Sequence, residues 1–300
     1  MTDFQEKMEA ALPASCLKWD EPMSLHTSFR IGGPARAMVF PTTREELAKA
    51  LHMSEILDCK CAILGAGTNV LAPDEGLSGM VICLKDGLKG IERTGKTRIR
   101  VMAGTTMTQA AVYAAEQGLS GLEFAHGIPG TVGGGVYMNA GAYGGEIRDI
   151  CRQVEILSPD GQFRVLTGEE MQFSYRHSIL EDRGGIVVSA EFELTEKPKE
   201  EIRQTMRSLM DRRKASQPLE LPSAGSAFKR PAGGYAAALI DQAGLKGFQV
   251  GGAAVSEKHA GFVVNLGGAT AADVRSLLEQ VSQRVYANSG IRLEPEVRIW

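Results

Sequence analysis

The sequence predicts an α+β fold in two units, and three observations support this prediction. Short apolar runs dominate the first two thirds of the chain and favour strands. A charged, proline-containing stretch at residues 196–201 then interrupts the pattern, as at a domain junction. Beyond this junction, helical periodicity alternates with short strands. Three hundred residues are enough for two units, each with its own core.

Most elements predicted before the junction are strands. Each is a short apolar run, and the runs at 154–157 and 163–166 flank the turn sequence Ser-Pro-Asp-Gly, which favours a hairpin. The predicted strands cover residues 35–40, 61–64, 80–84, 98–103, 154–157, 163–166 and 186–194.

Three helices are predicted in the same region from amphipathic spacing and capping residues. The first covers residues 1–20 and is loosely attached. The second follows Thr42 or Thr43 as its N-cap. The third runs over residues 106–117 and ends before Gly118, a suitable residue for a left-handed helix end. The expected buried face of the second helix consists of Leu47, Leu51 and Ile56.

Two helices are predicted after the junction. The last one begins at Thr270, where Asp273 completes an approximate capping box. Its apolar face consists of Val274, Leu277, Leu278, Val281 and Val285. The helix directly after the junction has an apolar face made of Ile202, Met206, Leu209 and Met210.

Composition and charge exclude several classes of protein. A formal charge of −3 with dispersed Lys and Arg does not indicate a nucleic-acid partner. The five cysteines are scattered, and the spacing of Cys59 and Cys61 fits neither a redox motif nor a zinc site, so we expect reduced thiols and no metal. Because no apolar run is long enough to span a bilayer and no secretory signal is recognisable, we expect a soluble, cytoplasmic protein without a membrane partner.

The most informative segment is glycine-rich and covers residues 127–145. Eight of its nineteen residues are glycine, a density that costs conformational entropy on folding. Apolar residues such as Ile128, Val136 and Tyr143 are interleaved with the glycines, which argues against a flexible linker. We interpret the segment as an ordered wall whose bare backbone lies against a ligand. The alternative is a set of tight turns in an all-β region.

A second glycine-rich motif, GAGTNVL at residues 65–71, follows the predicted strand at 61–64. It is neither GxGxxG nor a P-loop, so a Rossmann dinucleotide site and a P-loop NTPase are not expected. Its amides and the side chains of Thr68 and Asn69 offer donors to a phosphate, although an ordinary turn remains the alternative. Paired with the segment at 127–145, the motif suggests two loops that grip one extended ligand containing a pyrophosphate.

Six motifs occur along the chain in this order: HTSFRIGGPA (26–35), GAGTNVL (65–71), GIPGTVGGGVYMNAGAYGGE (127–146), SYRHS (174–178), PSAGSAFKRP (222–231) and LEPEV (293–297). Together they closely resemble the UDP-N-acetylenolpyruvoylglucosamine reductase (MurB) family. The resemblance extends from about residue 20 to the C-terminus. Its specificity comes from the order of all six motifs, since any one alone would be uninformative.

The resemblance implies an FAD-binding fold of the vanillyl-alcohol oxidase type, made of two α+β lobes, and a C-terminal α+β substrate-binding domain. We expect the FAD-binding domain at residues 1–197, with lobes at about 20–88 and 89–197, and the substrate-binding domain at 198–300. The short stretch at 178–186 leaves no room for the extra loop of some members, which indicates the shorter subtype.

The resemblance also implies an enzyme of peptidoglycan synthesis, with FAD as cofactor and NADPH as electron donor. Its partners would be NADPH and a UDP-sugar, UDP-N-acetylglucosamine enolpyruvate, which is reduced to UDP-N-acetylmuramate. We expect a monomer or a weak oligomer. Two alternatives stay open: another FAD-dependent oxidase of the same fold, which uses O₂, and a nucleotide-sugar-binding protein without catalysis.

The chemistry of this reduction indicates which residues are needed. Hydride adds to the terminal alkene carbon, so negative charge builds on the neighbouring carbon and spreads into its carboxylate. Arg176 is a permanent cation that can fork onto a carboxylate. Glu296 can share that duty, or act as an acid if burial raises its pKa. Ser226 lies between two small residues, and the resemblance implies that its hydroxyl donates the proton to carbon.

Each of these three residues has an ordinary structural interpretation. Ser226 fits a local hydrogen bond in a turn, Arg176 fits a solvated surface cation, and Glu296 fits an outward-pointing strand residue. The five histidines leave a Ser–His hydrolase open as well, although no GxSxG motif supports one.

The remaining site residues are assigned by position in the six motifs. The expected cofactor-binding residues are Gly65, Ala66, Gly67, Thr68, Asn69, Gly130, Thr131, Gly133, Gly134, Ala140 and Gly141. The expected substrate-binding residues are Tyr175, Lys229, Arg230, Lys258 and His259. Some family members have asparagine at the position of Arg230.

Overall fold

The computed structural model describes residues 2–300 and divides into two compact units, each with its own hydrophobic core. The first unit consists of the chain up to Trp19, Ala37–Ala66 and Gly79–Asp211. The second unit consists of Asp20–Arg36, Gly67–Ser78 and Arg212–Trp300. These units are a separate division of the chain. The domains expected at residues 1–197 and 198–300, with two lobes in the first, stay predictions.

Helices and strands are mixed along residues 2–300, with several runs of consecutive strands. The α-helices are α1 Asp3–Ala11, α2 Arg44–Ile56, α3 Met107–Glu116, α4 Val132–Tyr137, α5 Ile179–Arg183, α6 Lys199–Ser216, α7 Ala236–Gln242 and α8 Ala271–Ser289. The strands are β1 Leu17–Pro22, β2 Pro34–Val39, β3 Cys61–Leu64, β4 Val70–Leu71, β5 Leu77–Cys83, β6 Ile91–Arg93, β7 Arg98–Met102, β8 Leu119–Ser120, β9 Gly141–Ala142, β10 Gly145–Glu146, β11 Cys151–Leu157, β12 Phe163–Thr167, β13 Ile186–Glu193, β14 Thr195–Glu196, β15 Ser223–Ser226, β16 Gln249–Val250, β17 Ala253–Val255, β18 Phe262–Asn265 and β19 Arg298–Ile299.

The first unit is built on an antiparallel five-stranded sheet with the order β12-β11-β13-β7-β6. The hairpin predicted around Ser-Pro-Asp-Gly is confirmed, because Leu157 pairs with Phe163 across it. A second sheet has the order β1-β2-β5-β3, in which β3 and β5 run parallel. Helix α4 contacts β13, which places the glycine-rich segment against the five-stranded sheet.

The helices α2 and α3 begin where capping residues predict. Thr43 and Thr106 are the N-caps, and each forms a capping box with the residue three positions later. Gly118 takes the left-handed conformation, with φ +70°, directly after α3 and its C-cap residue. The stretch 196–201 contains strand β14 and the start of α6, so the predicted junction lies at an ordered helix start.

Two local predictions are wrong. The helix expected over residues 1–20 ends at Ala11, because Leu12 is extended before Pro13 and the chain then continues into strand β1. Ile56, predicted on the buried face of α2, is 55% exposed. It is the last residue of the helix, whose buried face is completed instead by Ala50 and Met53.

The second unit packs α8 against the antiparallel sheet β15-β18-β17-β16. The predicted apolar face of α8 is fully buried, and its capping box between Thr270 and Asp273 is confirmed. Phe29, Ile31 and Leu71 complete this core, although they come from the first quarter of the chain. Within residues 2–300, no helix has the length and apolar character needed to cross a membrane.

Candidate functional site

The first glycine loop, residues 65–69, directly follows strand β3. Leu64, the last residue of β3, accepts a hydrogen bond from the Leu84 amide at 2.8 Å, so the parallel partner β5 fixes where the loop begins. Gly67 has φ +62°, and a Cβ added there would lie 2.1 Å from the carbonyl oxygen of His26. Only glycine fits this position, for reasons of both space and backbone conformation.

The backbone amides of this loop are the strongest indication that a ligand binds here. Within residues 2–300, no hydrogen bond joins the amides of residues 65–69 to an acceptor. An amide without a protein acceptor costs stability unless water or a ligand accepts from it. Five consecutive free donors therefore suit an anionic group such as a diphosphate. Gly65 and Ala66 belong to the first unit, and the other three residues belong to the second.

The second glycine segment, residues 127–145, uses many of its amides inside the protein. Thr131 caps helix α4, and its Oγ1 accepts a hydrogen bond from Gly134 N at 3.4 Å. The amides of Val132 and Gly133 donate to backbone carbonyls at 2.8 and 2.9 Å. The first turn of α4 therefore offers no free donor at these residues.

Packing explains several glycines of the second segment. A Cβ added to Gly133 would lie 2.8 Å from Ala103 Cβ, and one added to Gly135 would lie 2.8 Å from Met107 Sδ. Ala140 is buried, and its amide donates to Gly135 O at 2.7 Å. These contacts hold α4 close to its neighbours, as they would with or without a ligand. The predicted cofactor contacts of Gly133, Gly134, Ala140 and Gly141 stay predictions.

The two glycine-rich motifs meet within the first unit. A Cβ added to Gly65 would lie 2.5 Å from Thr131 Oγ1. In the part of the chain that the structure describes, the amides of Gly130 and Thr131 also lack an acceptor. Free amides from both motifs therefore lie in one neighbourhood beside the N-terminus of α4, which fits a ligand with several anionic oxygens.

Arg176 lies in a two-residue turn, residues 174–177, which we call the Arg176 turn. Ser174 N donates to His177 O at 3.1 Å, and His177 N donates to Ser174 O at 3.3 Å. Arg176 is half-buried with φ +57°, and its Cζ lies 5.0 Å from the ring of Tyr175. Tyr175 is 50% exposed, so core packing does not explain it.

In the second unit, the structure brings Ser226 and Glu296 together. Ser226 is the last residue of β15, is exposed, and pairs with Phe262 of β18. The next residue, Ala227, accepts a hydrogen bond from Glu296 N at 2.9 Å. The segment before β19 therefore runs beside the end of β15, one residue beyond the candidate proton donor.

A contact that the sequence did not predict connects Glu296 to the first glycine loop. Asn69 Nδ2 donates to Glu296 O at 3.1 Å, and Asn69 O accepts from Arg298 N at 3.0 Å. The parallel pairing of β4 with β19 continues this contact. Asn69 was predicted as a cofactor contact, and the structure gives its side chain a partner in the protein. A hydrogen bond across more than two hundred residues leaves no local sequence signal.

The predicted substrate-binding lysines have partners in the second unit. Lys258 Nζ donates to Lys214 O at 2.8 Å, near the C-terminus of α6 where a cation is favoured. Lys229 forms an ion pair with Glu294. The guanidinium of Arg230 lies 4.0 Å from the ring of Tyr235. Their predicted contacts with substrate stay predictions.

His259 is held as a neutral side chain. Its Nδ1 accepts a hydrogen bond from Gly261 N at 3.1 Å, so the ring proton lies on Nε2. Burial lowers the pKa of His259 below its ordinary value, because desolvation disfavours the charged form. The ring packs edge-on against Phe262, the residue that pairs with Ser226. A neutral donor of this kind suits a polar contact with substrate better than a phosphate ion pair.

The five thiols are all free, and three of them are deactivated by burial. Desolvation raises the pKa of Cys61 and of Cys151 to about 12, and that of Cys83 to about 11. Thiols of this kind do not act as nucleophiles at neutral pH. Among residues 2–300, no group of His, Cys, Asp and Glu side chains has an arrangement that could hold a metal ion.

Comparison with known proteins identifies related chains. A model described as FAD binding domain matches residues 35–167, and one described as UDP-N-acetylenolpyruvoylglucosamine reductase, C-terminal domain, matches residues 217–300. The UDP-N-acetylenolpyruvoylglucosamine reductase of Agathobacter rectalis is 47% identical over 99% of this chain and 98% of its own length. That of Clostridioides difficile is 45% identical over 94% of this chain and 93% of its own length.

Solved structures agree with these matches. The crystal structure of UDP-N-acetylenolpyruvylglucosamine reductase (MurB) from Thermus caldophilus is 40% identical, with a TM-score of 0.80 over 95% of this chain and 98% of that one. An alkyldihydroxyacetonephosphate synthase is 17% identical, with a TM-score of 0.51 over 65% of this chain and 41% of that one, and shares the fold alone. The predicted α+β fold, a flavin-binding part followed by a C-terminal domain, is confirmed.

Proposed function

The chain belongs to the family of UDP-N-acetylenolpyruvoylglucosamine reductases, and from this premise we propose how it works. It is an FAD-dependent oxidoreductase of peptidoglycan synthesis. The proposed reaction is the reduction of UDP-N-acetylglucosamine enolpyruvate to UDP-N-acetylmuramate, with NADPH as the electron donor. When bound, FAD supplies hydride transfer to the alkene, which no amino acid side chain provides.

The observation that carries the cofactor proposal is the meeting of the two glycine-rich motifs. Among residues 2–300, no acceptor meets the amides of Gly65, Ala66, Gly130 and Thr131, and a Cβ built at Gly65 would lie 2.5 Å from Thr131 Oγ1. Backbone donors of this kind suit the oxygens of a diphosphate, and a side chain at Gly65 would clash with Thr131 beside them. We therefore assign these four residues to the diphosphate of FAD, with Gly67, Thr68 and Asn69 as the continuation of the same loop.

Three residues of the chain act on the substrate in this proposal. Arg176 holds the carboxylate of the enolpyruvyl group and stabilises the charge that develops as the alkene is reduced. We assign Glu296 to the same carboxylate as a second polar contact. Ser226 donates its hydroxyl proton to the carbon that bears the ether oxygen, and water returns a proton to Ser226. Removing one electrostatic group of this kind costs on the order of 10² to 10³ in rate.

The substitution Ser226→Ala tests the proton-donor role. Reduction of the bound flavin by NADPH should proceed at the wild-type rate, because no proton reaches carbon in that half-reaction. Oxidation of the reduced flavin by the enolpyruvyl nucleotide should slow by about 10²- to 10⁴-fold. Stopped-flow absorbance under anaerobic conditions measures both rates separately.

Ser223→Ala is the matched control, since Ser223 begins the same strand β15. It should leave both half-reactions unchanged. Equal losses in the two half-reactions of Ser226→Ala would overturn the proton-donor role. A purified protein that is colourless and takes up no FAD would overturn the cofactor proposal itself. Rapid reoxidation by air without the enolpyruvyl nucleotide would favour an oxidase instead.

NADPH and the UDP-sugar are the partners in this proposal, and a cytoplasmic location and a monomeric or weakly associated state stay predictions. The predicted substrate contacts in the second unit are Lys229, Arg230, Lys258 and His259. Of these, His259 has the most suitable state, because burial keeps it neutral with Nε2–H as a donor.

A further inference from the structure

A buried asparagine near the end of the second glycine segment has no part in the proposed chemistry. The side chain of Asn139 is 0% exposed. Its φ of +46° lies in the left-handed region, which asparagine tolerates better than most residues. A buried polar side chain in an uncommon backbone conformation persists only where the surrounding structure holds it there.

Three hydrogen bonds hold the Asn139 side chain. Its Nδ2 donates to Ser174 O at 2.9 Å and to Glu146 Oε2 at 3.0 Å. Its Oδ1 accepts from Arg148 N at 3.0 Å. Both amide protons and the carbonyl oxygen are therefore used. The bond to Ser174 is the only one of the three that leaves the local hairpin, since it spans 35 residues.

The bond to Ser174 ends at the Arg176 turn. Ser174 closes this turn through two hydrogen bonds with His177, and Arg176 lies between them with φ +57°. Arginine does not favour this conformation, so the turn depends on its closing contacts. A second anchor follows the turn, where Ser178 Oγ donates to Tyr137 O at 2.6 Å. Both ends of the turn are thus tied to the second glycine segment.

We propose that Asn139 is a positioning residue that fixes the Arg176 turn to the wall of the cofactor site, so that the guanidinium meets the substrate carboxylate. This inference rests on the role of Arg176 in the proposed function. The wall and the turn must keep a fixed separation, since charge develops on substrate next to the flavin. Displacement of a catalytic group by about 1 Å costs about 10²-fold in rate. A buried amide with all its hydrogen bonds made supplies the stiffness that an exposed turn lacks.

The test uses Asn139→Gly in the holoenzyme. Glycine adopts the left-handed backbone without strain, so the substitution removes the side chain and its hydrogen bonds without distorting the backbone. Reduction of the flavin by NADPH should stay within about twofold of wild type, whereas the enolpyruvyl half-reaction should slow by about 10- to 100-fold. Asp58→Gly is the matched control, because Asp58 has φ +44° and is exposed in the first unit. It should leave both half-reactions unchanged.

A double-mutant comparison separates positioning from a general loss of stability. If Asn139 acts through Arg176, Asn139→Gly should add no further slowing in the background of Arg176→Ala. Multiplicative slowing in that background would overturn the proposal. If Arg176→Ala alone leaves the enolpyruvyl half-reaction intact, the proposed role of Arg176 fails first, which distinguishes the two failures.

Binding measured by calorimetry provides a readout without turnover. Asn139→Gly should weaken the enolpyruvyl nucleotide about tenfold and leave UDP-N-acetylglucosamine unaffected, because only the former carries the carboxylate that Arg176 holds. Equal weakening of both ligands would contradict positioning of Arg176. Asn139→Asp repeats these measurements if the glycine variant does not fold. It keeps the shape and the acceptor for Arg148 N, but replaces the donor to Ser174 O with an oxygen.

Discussion

The two glycine-rich motifs have similar composition, but their backbone amides have different hydrogen-bond partners. In the described part of the chain, no acceptor meets the amides of the first glycine loop, residues 65–69, and Gly67 of this loop tolerates no side chain. In the second glycine segment, the amides of Val132 and Gly133 are bound to carbonyls, and Gly133 and Gly135 pack closely against neighbouring residues. Glycine density therefore indicates a close approach in both cases, and only the hydrogen bonds show whether that approach leaves donors for a ligand.

The largest expected change in stability comes from adding a methyl group to a glycine of each motif. Gly67→Ala forces a Cβ to within 2.1 Å of His26 O in a left-handed backbone, so the free energy of unfolding should fall by about 3 kcal/mol or more. Gly134→Ala in helix α4 meets only Thr131 Oγ1, at 3.6 Å, and should raise stability by about 0.5–1 kcal/mol through helix propensity. Urea unfolding of both variants measures the difference.

An equal loss of stability in the two variants would remove the contrast between the motifs. The FAD affinity of Gly134→Ala provides a second comparison between the two motifs. Gly134 is exposed on the helix, so unchanged affinity would show that its bare backbone is not needed by the ligand. Weaker FAD binding with unchanged stability would instead place the ligand against this residue, as its predicted role requires.

A smaller effect is expected where the first glycine loop meets Glu296. Asn69→Ala removes the hydrogen bond to Glu296 O and should cost about 1 kcal/mol of stability. The enolpyruvyl half-reaction should slow by about tenfold, because Glu296 loses one of its backbone supports. Flavin reduction by NADPH should change little. Asn288→Ala, an exposed asparagine in α8, serves as the control for removing the same side chain. Uniform slowing of both half-reactions would contradict this expectation.

The smallest expected effect is a pH-dependent change in stability at a helix N-terminus. Helix α4 has no acidic residue in its first turn. In α8, by contrast, the first two amides donate to the carboxylate of Asp74, and the amide of the N-cap residue Thr270 donates to the carboxylate of Asp273. Hydrogen bonds from the Thr270 amide and then the Gly252 amide hold the pKa of Asp273 below its ordinary value. A depressed pKa means that Asp273 stabilises the fold above its unfolded pKa, and that this contribution is lost as the pH falls through the folded pKa.

Asp273→Asn should therefore lower the unfolding temperature at neutral pH, and the difference from wild type should shrink as both proteins are acidified through that range. Thermal unfolding at a series of pH values measures this. A difference that stays constant with pH would show that the carboxylate charge contributes nothing. The first turn of α4, by contrast, carries no carboxylate that would be lost on acidification.

Local patterns allowed much of the fold to be predicted. Capping boxes at Thr43, Thr106 and Thr270 and the hairpin turn depend on residues a few positions apart, so they are visible in the sequence. The first helix was predicted too long, because the amphipathic pattern continues past Pro13 where the backbone cannot. Ile56 was wrongly placed on the buried face of α2, because it is the last residue of that helix and is exposed.

Long-range contacts left no comparable signal. Phe29 and Leu71 belong to the core of the second unit although the neighbouring chain on either side lies in the first. The motif pattern predicts roles for Ser226, Glu296 and both glycine-rich motifs, and these roles stay predictions. It did not show that Asn69 supports Glu296, or that Asn139 holds the Arg176 turn, because each contact joins residues far apart in the chain.

Hydrogen exchange resolved to single amides, with and without FAD, tests the central comparison most directly. The amides of residues 65–69 should exchange rapidly in the apo-protein and become protected when FAD binds, since the ligand would supply their missing acceptors. The amides of Val132 and Gly133 should be protected in both states. Loop amides that are already protected without FAD, or that exchange equally fast with it, would contradict the assignment of this loop to the cofactor.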